Sequence, residues 1–344
     1  MRAVMTRWRN ASSFALSVIA ETDERFADFA PYVASVNREG TVAFQATVRD
    51  GTSGVYTGDG GRVTLVADPV TGRFNEVCSH PDINGEGTTC FYADIESGGR
   101  GVFLVRDGEV VAVADSAGPL GPTMNEAGTV AFRTDRGTGG SGVYTGSGGA
   151  VTTIAESGDR FHIFHGLPLI GTSGAVTFRA DLEGGGEGIY VSDGEQVMAL
   201  VETGDLFGGL GRFPFASETG TVAFCAHLRS GASGVFTMTS GEIATVVDSS
   251  GPFESFRGVL LDDAGGVIFY ATPRRGELGV FAGPDPVGDR LLSVGSPLFG
   301  SPVVDFALNP VSINHAGQIA MRVALEDERQ MIVRADPEGR ASSP

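Results

Sequence analysis

Short runs of alternating apolar and polar residues, separated by glycine-rich turns, follow one another along the chain. In "AVTFRADL" and "GIYVSD" the apolar side chains fall at every second position, which is the period of a half-buried β-strand. Turns such as "TGDGG" and "TGSGG" supply the positive φ angles that tight hairpins need. No stretch shows a sustained helical period. The pattern therefore predicts an all-β protein.

The strands repeat as a unit. A Gly-x-x-x-Phe core recurs at intervals of 41 to 52 residues. Its aromatic anchors are Phe44, Phe91, Phe132, Phe178, Phe224 and Phe269, with Met321 in the seventh copy. The glycines four positions earlier are Gly40, Gly87, Gly128, Gly174, Gly220, Gly265 and Gly317. A Gly-[Val/Ile]-[Tyr/Phe] signature follows in six copies, at Gly54, Gly101, Gly142, Gly188, Gly234 and Gly279.

Each copy contains four short strands, here called A to D in chain order. Four strands in about 46 residues is the pattern of a β-propeller blade. A parallel β-helix would have a shorter period, and an open stack would leave two sheet edges exposed. We therefore predict a seven-bladed β-propeller with four-stranded blades.

The repeat resembles the tandem "NxxGxxAF" repeat of many predicted bacterial proteins. Asn37, Asn84, Asn125 and Asn314 match its Asn, whereas Gly171, Ser217 and Asp262 depart from it. The resemblance extends over almost the whole chain. It implies the fold and carries no established activity.

The stretch "SSFALSVIAETDERF" (12–26) follows several arginines and resembles the start of a secretory signal peptide. However, residues 15–26 align without a gap with 150–161, which form strand D of blade 3 and its exit loop. Strand D is also missing from the seventh copy. We therefore predict that residues 15–22 complete blade 7 and close the ring, in one domain over 12–336 with flexible termini at 1–11 and 337–344. Because this stretch is interpreted as a strand and not as an export signal, we expect a cytoplasmic protein, or one exported by another route.

Composition excludes several function classes. The net charge of −18 disfavours binding to nucleic acid or to anionic membranes. The chain contains no lysine, so neither a lysine Schiff base nor a P-loop lysine is available. Its three cysteines do not form a disulfide framework. We predict no metal site, no cofactor and a monomer.

Propeller geometry sorts the connections into two faces. The A–B and C–D turns lie on one face and are short, whereas the D–A and B–C connections lie on the other and vary, as binding loops do. The longer D–A loops are predicted at 67–79, 155–165 and 295–306, among others. We place candidate acid/base residues on this second face: His165, His227 and His80. Candidate ligand-binding residues there are His162, Arg212, Arg257, Arg179 and Asp181.

Two functions are compatible with these residues. The first is a binding propeller for a small polar or anionic molecule, a glycan or a protein. The alternative is an enzyme of lyase or hydrolase type, with histidine as acid or base and arginine as an anion clamp. A deep pocket lined by His and Arg from several blades would favour the enzyme, and a flat apolar patch would favour a protein partner.

Overall fold

A computed structural model describes residues 14–72, 74–96, 98–135, 140–262 and 265–338. These residues form seven small antiparallel sheets arranged in a ring, which confirms the seven-bladed β-propeller. Of the segments predicted to be flexible, 1–11 and 337–344, the first and residues 339–344 of the second lie outside the described residues. Pro337 ends the last strand. Among the described residues, no helix is long and apolar enough to cross a membrane.

The strands of each blade are given in chain order. Blade 1 contains β2 (Phe26–Asp28), β3 (Ser35–Val36), β4 (Val42–Val48), β5 (Ser53–Gly58) and β6 (Thr64–Ala67). Blade 2 contains β7 (Glu76–Val77), β8 (Asp82–Ile83), β9 (Thr89–Asp94), β10 (Arg100–Arg106) and β11 (Glu109–Ala114). Blade 3 contains β12 (Thr123–Met124), β13 (Val130–Asp135), β14 (Ser141–Gly146) and β15 (Thr152–Glu156). Blade 4 contains β16 (Phe161–Ile170), β17 (Val176–Leu182), β18 (Glu187–Ser192) and β19 (Val197–Glu202).

The remaining blades follow the same plan. Blade 5 contains β20 (Phe207–Leu210), β21 (Phe215–Ala216), β22 (Thr221–Leu228), β23 (Ser233–Thr239) and β24 (Glu242–Asp248). Blade 6 contains β25 (Phe253–Leu261), β26 (Val267–Pro273), β27 (Gly279–Phe281) and β28 (Arg290–Ser293). Blade 7 contains β29 (Pro297–Leu298), β30 (Ser301–Ala307), β31 (Ile319–Leu325), β32 (Gln330–Pro337) and the N-terminal β1 (Phe14–Glu21). A short helix α1 (Pro69–Gly72) and a 3-10 turn (Pro310–Ser312) complete the described elements.

The repeated residues form the core of each blade. All seven anchors, from Phe44 to Met321, are at most 1% exposed. In six blades the anchor ring stacks on the strand C aromatic that directly follows the Gly-[Val/Ile] pair, with centroids 5.7–6.0 Å apart. The glycine four positions before the anchor occupies the A–B turn with positive φ in every blade, from 76° to 86°. The sequence repeat is thus a repeat of one hairpin and one aromatic pair.

The N-terminal strand closes the ring, as predicted. β1 pairs antiparallel with β32, from Phe14 opposite Pro337 to Glu21 opposite Met331. Its register shifts around Ile19, and β15 shifts in the same way around Ile154, the residue that aligns with Ile19. β1 therefore has both the position and the bulge of a strand D.

Two segments predicted as loops are strands. His162 and His165 lie within β16, and most of 295–306 forms the β29–β30 hairpin. In β16 the reason is aromatic burial. Phe161 and Phe164 are 4% and 1% exposed and pack on Phe178, so the segment extends the sheet instead of leaving it.

Candidate functional site

We name the two surfaces by their connections. The loop face carries the D–A and B–C connections, and the turn face carries the A–B and C–D turns. On the loop face, polar side chains from blades 4, 5 and 6 collect around β16, β17 and the chain at 208–212.

The blade 4 part is an ion-pair network built on two paired strands. β16 and β17 set His165 directly opposite Arg179, with Asp181 two residues further along β17. His165 Nε2 lies 2.9 Å from Asp181 Oδ2, and the His165 side chain is 28% exposed. An imidazole that a carboxylate orients while it still meets solvent is suited to accept or donate a proton.

Arg179 extends this network towards blade 5. Its Nη2 lies 3.8 Å from Asp181 Oδ1 and forms an ion pair with Glu187 Oε2. The other Glu187 oxygen accepts a hydrogen bond of 2.6 Å from the Leu210 amide. Burial lowers the pKa of Arg179; Asp181 opposes this shift, and the nearby charge of Arg212 adds to it. Glu187 thus fixes the inner strand of blade 5 against blade 4.

A small cavity of about 140 Å³ lies between blades 5 and 6. Arg212, His227 and Arg257 contribute its polar lining. The thiol of Cys225 also lines it, but burial raises the pKa of this thiol to about 12, so it is protonated and not nucleophilic at neutral pH. Gly211 gives the chain room here, because a Cβ at this position would lie 2.9 Å from Cys225 Cβ.

The network and the cavity adjoin at Gly209. A Cβ built on Gly209 would lie 3.4 Å from Glu187 Oε1 and 3.8 Å from the His227 ring. Among the described residues, neither Arg212 nor Arg257 forms an ion pair with a carboxylate. The loop face therefore carries two exposed guanidinium groups that have no acidic partner in the described part of the chain. Beside them lies a histidine that a carboxylate orients.

Two predicted residues do not join this site. His162 is 66% exposed and pairs with Glu183 at 3.3 Å. His80 is 4% exposed, between β7 and β8, and its Nε2 lies 3.5 Å from Asn309 Nδ2 of blade 7. The structure therefore places His80 in the centre of the ring, away from His165 and His227.

The buried arginines after the anchors have different partners. Arg322 Nη2 pairs with Asp305 Oδ2 at 2.8 Å, and Arg133 donates to the carbonyl oxygen of Phe164. Among the acids that end strand D, Asp68 caps a loop, because its Oδ1 accepts a hydrogen bond of 2.9 Å from the amide of Thr71. Glu202 instead accepts a hydrogen bond from the Tyr190 hydroxyl at 3.0 Å. No group of three or more His, Cys, Asp or Glu side chains suited to a metal ion occurs in the described ranges.

A larger cavity lies on the opposite face, and our sequence reasoning missed it. The central channel opens on the turn face and has a volume of about 490 Å³. Every blade contributes to it through the end of its inner strand, and blades 1, 3, 4, 5 and 7 also contribute residues of the turn that follows. One sequence feature could have indicated this channel: the residue immediately before the A–B turn is apolar in every copy of the repeat.

A family model described as a family of unknown function (DUF7453) matches residues 118–333. The chain belongs to this family. Membership in DUF7453 gives no activity, and no curated protein matches the chain. The likeness to the "NxxGxxAF" repeat is a separate resemblance.

Solved β-propellers are similar to this DUF7453 protein in fold. The β-propeller domain of the Trilobed protease from Pyrococcus furiosus has 12% identity and a TM-score of 0.56, over 77% of this chain and 84% of that one. An oligogalacturonate lyase in complex with manganese has 11% identity and a TM-score of 0.57, over 94% and 98%. The oligogalacturonate lyase from Vibrio parahaemolyticus has 9% identity and a TM-score of 0.57, over 94% and 97%. At these identities the likeness concerns the fold alone.

Proposed function

We propose that this DUF7453 propeller binds a small polar molecule through an anionic group, held in the cavity between blades 5 and 6. One observation carries the proposal: Arg212 and Arg257 line one cavity without an acidic partner among the described residues, in a chain of net charge −18. Arginines in such an acidic protein have many carboxylates to pair with, so two without one provide a local site for an anion.

The size of the cavity restricts what enters it. About 140 Å³ is well below the volume of a pocket for a whole drug-sized ligand, roughly 300–1,000 Å³. It suits a carboxylate or phosphate group, whose oxygens accept two parallel hydrogen bonds from a guanidinium. The rest of the ligand would extend over Gly209 towards His165 and Asp181, where hydroxyl groups find donors and acceptors.

Binding of inorganic phosphate and of galacturonate, with galactose as the neutral analogue, tests this proposal. Calorimetry should show that galacturonate binds and that galactose binds at least about tenfold more weakly, since a lost charge-assisted hydrogen bond costs roughly 1.5–3 kcal/mol. Arg212→Gln and Arg257→Gln should each weaken galacturonate binding by a similar factor.

Arg275→Gln is the matched control, because it removes an exposed arginine from the B–C connection of blade 6 outside the cavity. This variant should bind like the natural protein. Equal affinity for galactose and galacturonate, or equal losses in all three variants, would contradict the proposal.

A second function has one observation in its favour, the hydrogen bond between His165 and Asp181 beside the proposed anion site. Such a pair supports acid/base catalysis on a bound anion. The test is to incubate the protein with anionic saccharides, oligogalacturonate among them, and to follow products by mass spectrometry. Turnover that Asp181→Asn lowers while galacturonate affinity persists would support an enzyme, and absence of turnover across the panel would favour binding alone.

A further inference from the structure

The central channel on the turn face has an apolar wall built by the repeat. The residue directly before the turn is apolar in every blade, and all seven line the channel: Val36, Ile83, Met124, Ile170, Ala216, Leu261 and Ile313. Leu169 and Phe215 add to this wall from blades 4 and 5, and Pro310 and Val311 of the 3-10 turn add to it from blade 7. An apolar body of small-molecule size therefore fits the cavity of about 490 Å³.

The charged groups of the lining are mainly acidic. They comprise three acids, Asp82, Glu126 and Glu218, against a single arginine, Arg38, so the lining is negative even when the buried Asp82 carries its proton. Arg38 is itself shared between two acids, at 4.0 Å from Glu126 and 3.5 Å from Glu39. The net charge of the channel is negative, and low-dielectric apolar walls strengthen its field.

The carboxylates are held in place by hydrogen bonds from neighbouring blades. Asp82, 8% exposed, accepts hydrogen bonds from its neighbour Ile83 and from the Met124 amide of blade 3, at 2.9 and 2.8 Å. Glu126 of blade 3 accepts one from the Gly85 amide of blade 2 at 2.9 Å. Each carboxylate oxygen has further acceptor capacity, so these acids can also accept hydrogen bonds from a bound donor.

Glu218 is fixed in the same way from blade 4. Its carboxylate accepts a hydrogen bond of 2.6 Å from the Thr172 hydroxyl. Acids from three different blades thus face one apolar channel with fixed orientations, which is the combination that an apolar body with a cationic end complements.

We propose that the channel binds a small amphiphilic cation, an ammonium group on an apolar body. The apolar body packs against the seven-residue wall and Phe215, and the ammonium donates to Asp82 or to the rim carboxylates Glu126 and Glu218. This site lies on the face opposite the proposed anion site and does not depend on it.

Histidine NMR can tell which face a ligand occupies. The chain has five histidines; His315 lines the channel mouth, whereas His165 and His227 lie on the loop face. Titration with benzylammonium, the charged form of benzylamine at neutral pH, should shift the imidazole Cε1–H signal of His315 and leave those of His165 and His227 unchanged. The signal of His315 is assigned from its loss in His315→Gln.

Two matched ligands test the chemistry. Benzyl alcohol keeps the apolar ring without the charge, and phenylacetate reverses the charge. Each should bind at least about tenfold more weakly than benzylammonium, in line with the strength of charge-assisted hydrogen bonds. Equal affinity for phenylacetate and benzylammonium would overturn the proposal, as would benzylammonium shifts confined to the loop-face histidines.

Substitution of the channel acids tests which of them bind the cation. Asp82→Asn and Glu218→Gln should each weaken benzylammonium binding about threefold to tenfold, and Glu218→Gln is at an exposed position where the fold tolerates the change. Glu183→Gln on the loop face is the control and should bind as the natural protein does. If folded Glu218→Gln and Asp82→Asn both keep full affinity, the channel carboxylates do not bind the cation and the proposal fails.

Discussion

Two buried ionisable side chains in the centre of the ring have opposite effects on stability. Burial raises the pKa of Asp82 to about 7 and lowers that of His80 to about 4. Asp82 binds its proton more tightly in the folded state, so its contribution to stability is present below about pH 4 and is lost as the pH rises towards 7. His80 is kept neutral, so its contribution is present above about pH 6.5 and is lost as the pH falls towards 4.

Asp82→Asn should separate these two effects. In the natural protein they oppose each other between about pH 4 and 7, so the free energy of unfolding should change little there on their account. The variant keeps only the His80 term, and its stability relative to the natural protein should rise with pH across this window. Urea unfolding at pH 4.5, 5.5 and 6.5 measures the difference, and His80→Gln should show the opposite trend. A difference that does not vary with pH would contradict the assignment.

At the level of the single element, β1 is equivalent to an internal strand D. Ile19 is 4% exposed at its bulge and packs in one cluster with Phe26, Phe44 and Ile332. Its aligned partner Ile154 is 5% exposed in blade 3. The N-terminal strand should therefore contribute as much to stability as a strand within the chain.

Alanine substitution tests this equivalence. Ile19→Ala and Ile154→Ala should each lower the free energy of unfolding by about 2–4 kcal/mol, because both remove buried methylene groups and leave a cavity. Ile163→Ala, at a residue 39% exposed in β16, should cost much less. Chemical denaturation of the three variants gives the comparison; a small loss for Ile19→Ala beside a large loss for Ile154→Ala would mean that β1 is only loosely attached.

The comparison of β1 with β15 also shows why the elements were predictable from the sequence. Every blade repeats the same glycine turn and anchor, so the seven copies together show a pattern that one copy alone would not. The seventh copy lacks a strand D, and this absence identified the N-terminal segment as the strand that completes it. The start of β16 was wrongly predicted as part of the 155–165 loop, because the repeat pattern gave no weight to Phe161 and Phe164, whose burial extends the sheet into this connection.

The candidate site was only partly accessible to the same reasoning. Arg179, Asp181 and His165 lie together because β16 and β17 form one hairpin, whose register places His165 opposite Arg179. His80 was predicted to lie on the loop face. The repeat predicts which blade and connection contain a residue, but it does not predict how deep along the central axis that residue lies. The channel itself is formed jointly by all seven blades, so no single repeat displays it.

At the scale of the whole molecule, asparagines of the repeat connect neighbouring blades from blade 7 through blade 1 to blade 4. Asn314 Nδ2 of blade 7 donates to the Asn37 carbonyl oxygen of blade 1 at 2.7 Å, and Asn37 Nδ2 donates to the Asn84 carbonyl oxygen of blade 2 at 2.9 Å. Asn125 continues the series to Gly171 of blade 4. The same side chains fix their own turns, because each Oδ1 accepts the amide four residues later.

Asparagine-to-aspartate substitution removes the link between blades and keeps the turn. Asp262 occupies this position naturally in blade 6, and its Oδ1 accepts the Gly266 amide at 2.8 Å. Asn314→Asp and Asn37→Asp should each lower the free energy of unfolding by about 1–3 kcal/mol, because a buried carbonyl loses its donor and meets a carboxylate instead. Asn75→Asp, at an exposed position, is the control.

The two losses should be nearly equal if the ring is closed. Asn37 and Asn84 are 47 residues apart, whereas Asn314 and Asn37 are joined only by the return of the chain to its start, 277 residues apart. In a closed ring every junction joins two complete four-stranded blades. Removing the hydrogen bond between blades 7 and 1 should therefore lower the free energy of unfolding as much as removing the one between blades 1 and 2. In a ring that opens readily at blade 7, Asn314→Asp would change the unfolding midpoint in urea far less than Asn37→Asp does, and that result would refute closure by β1 and the asparagine series together.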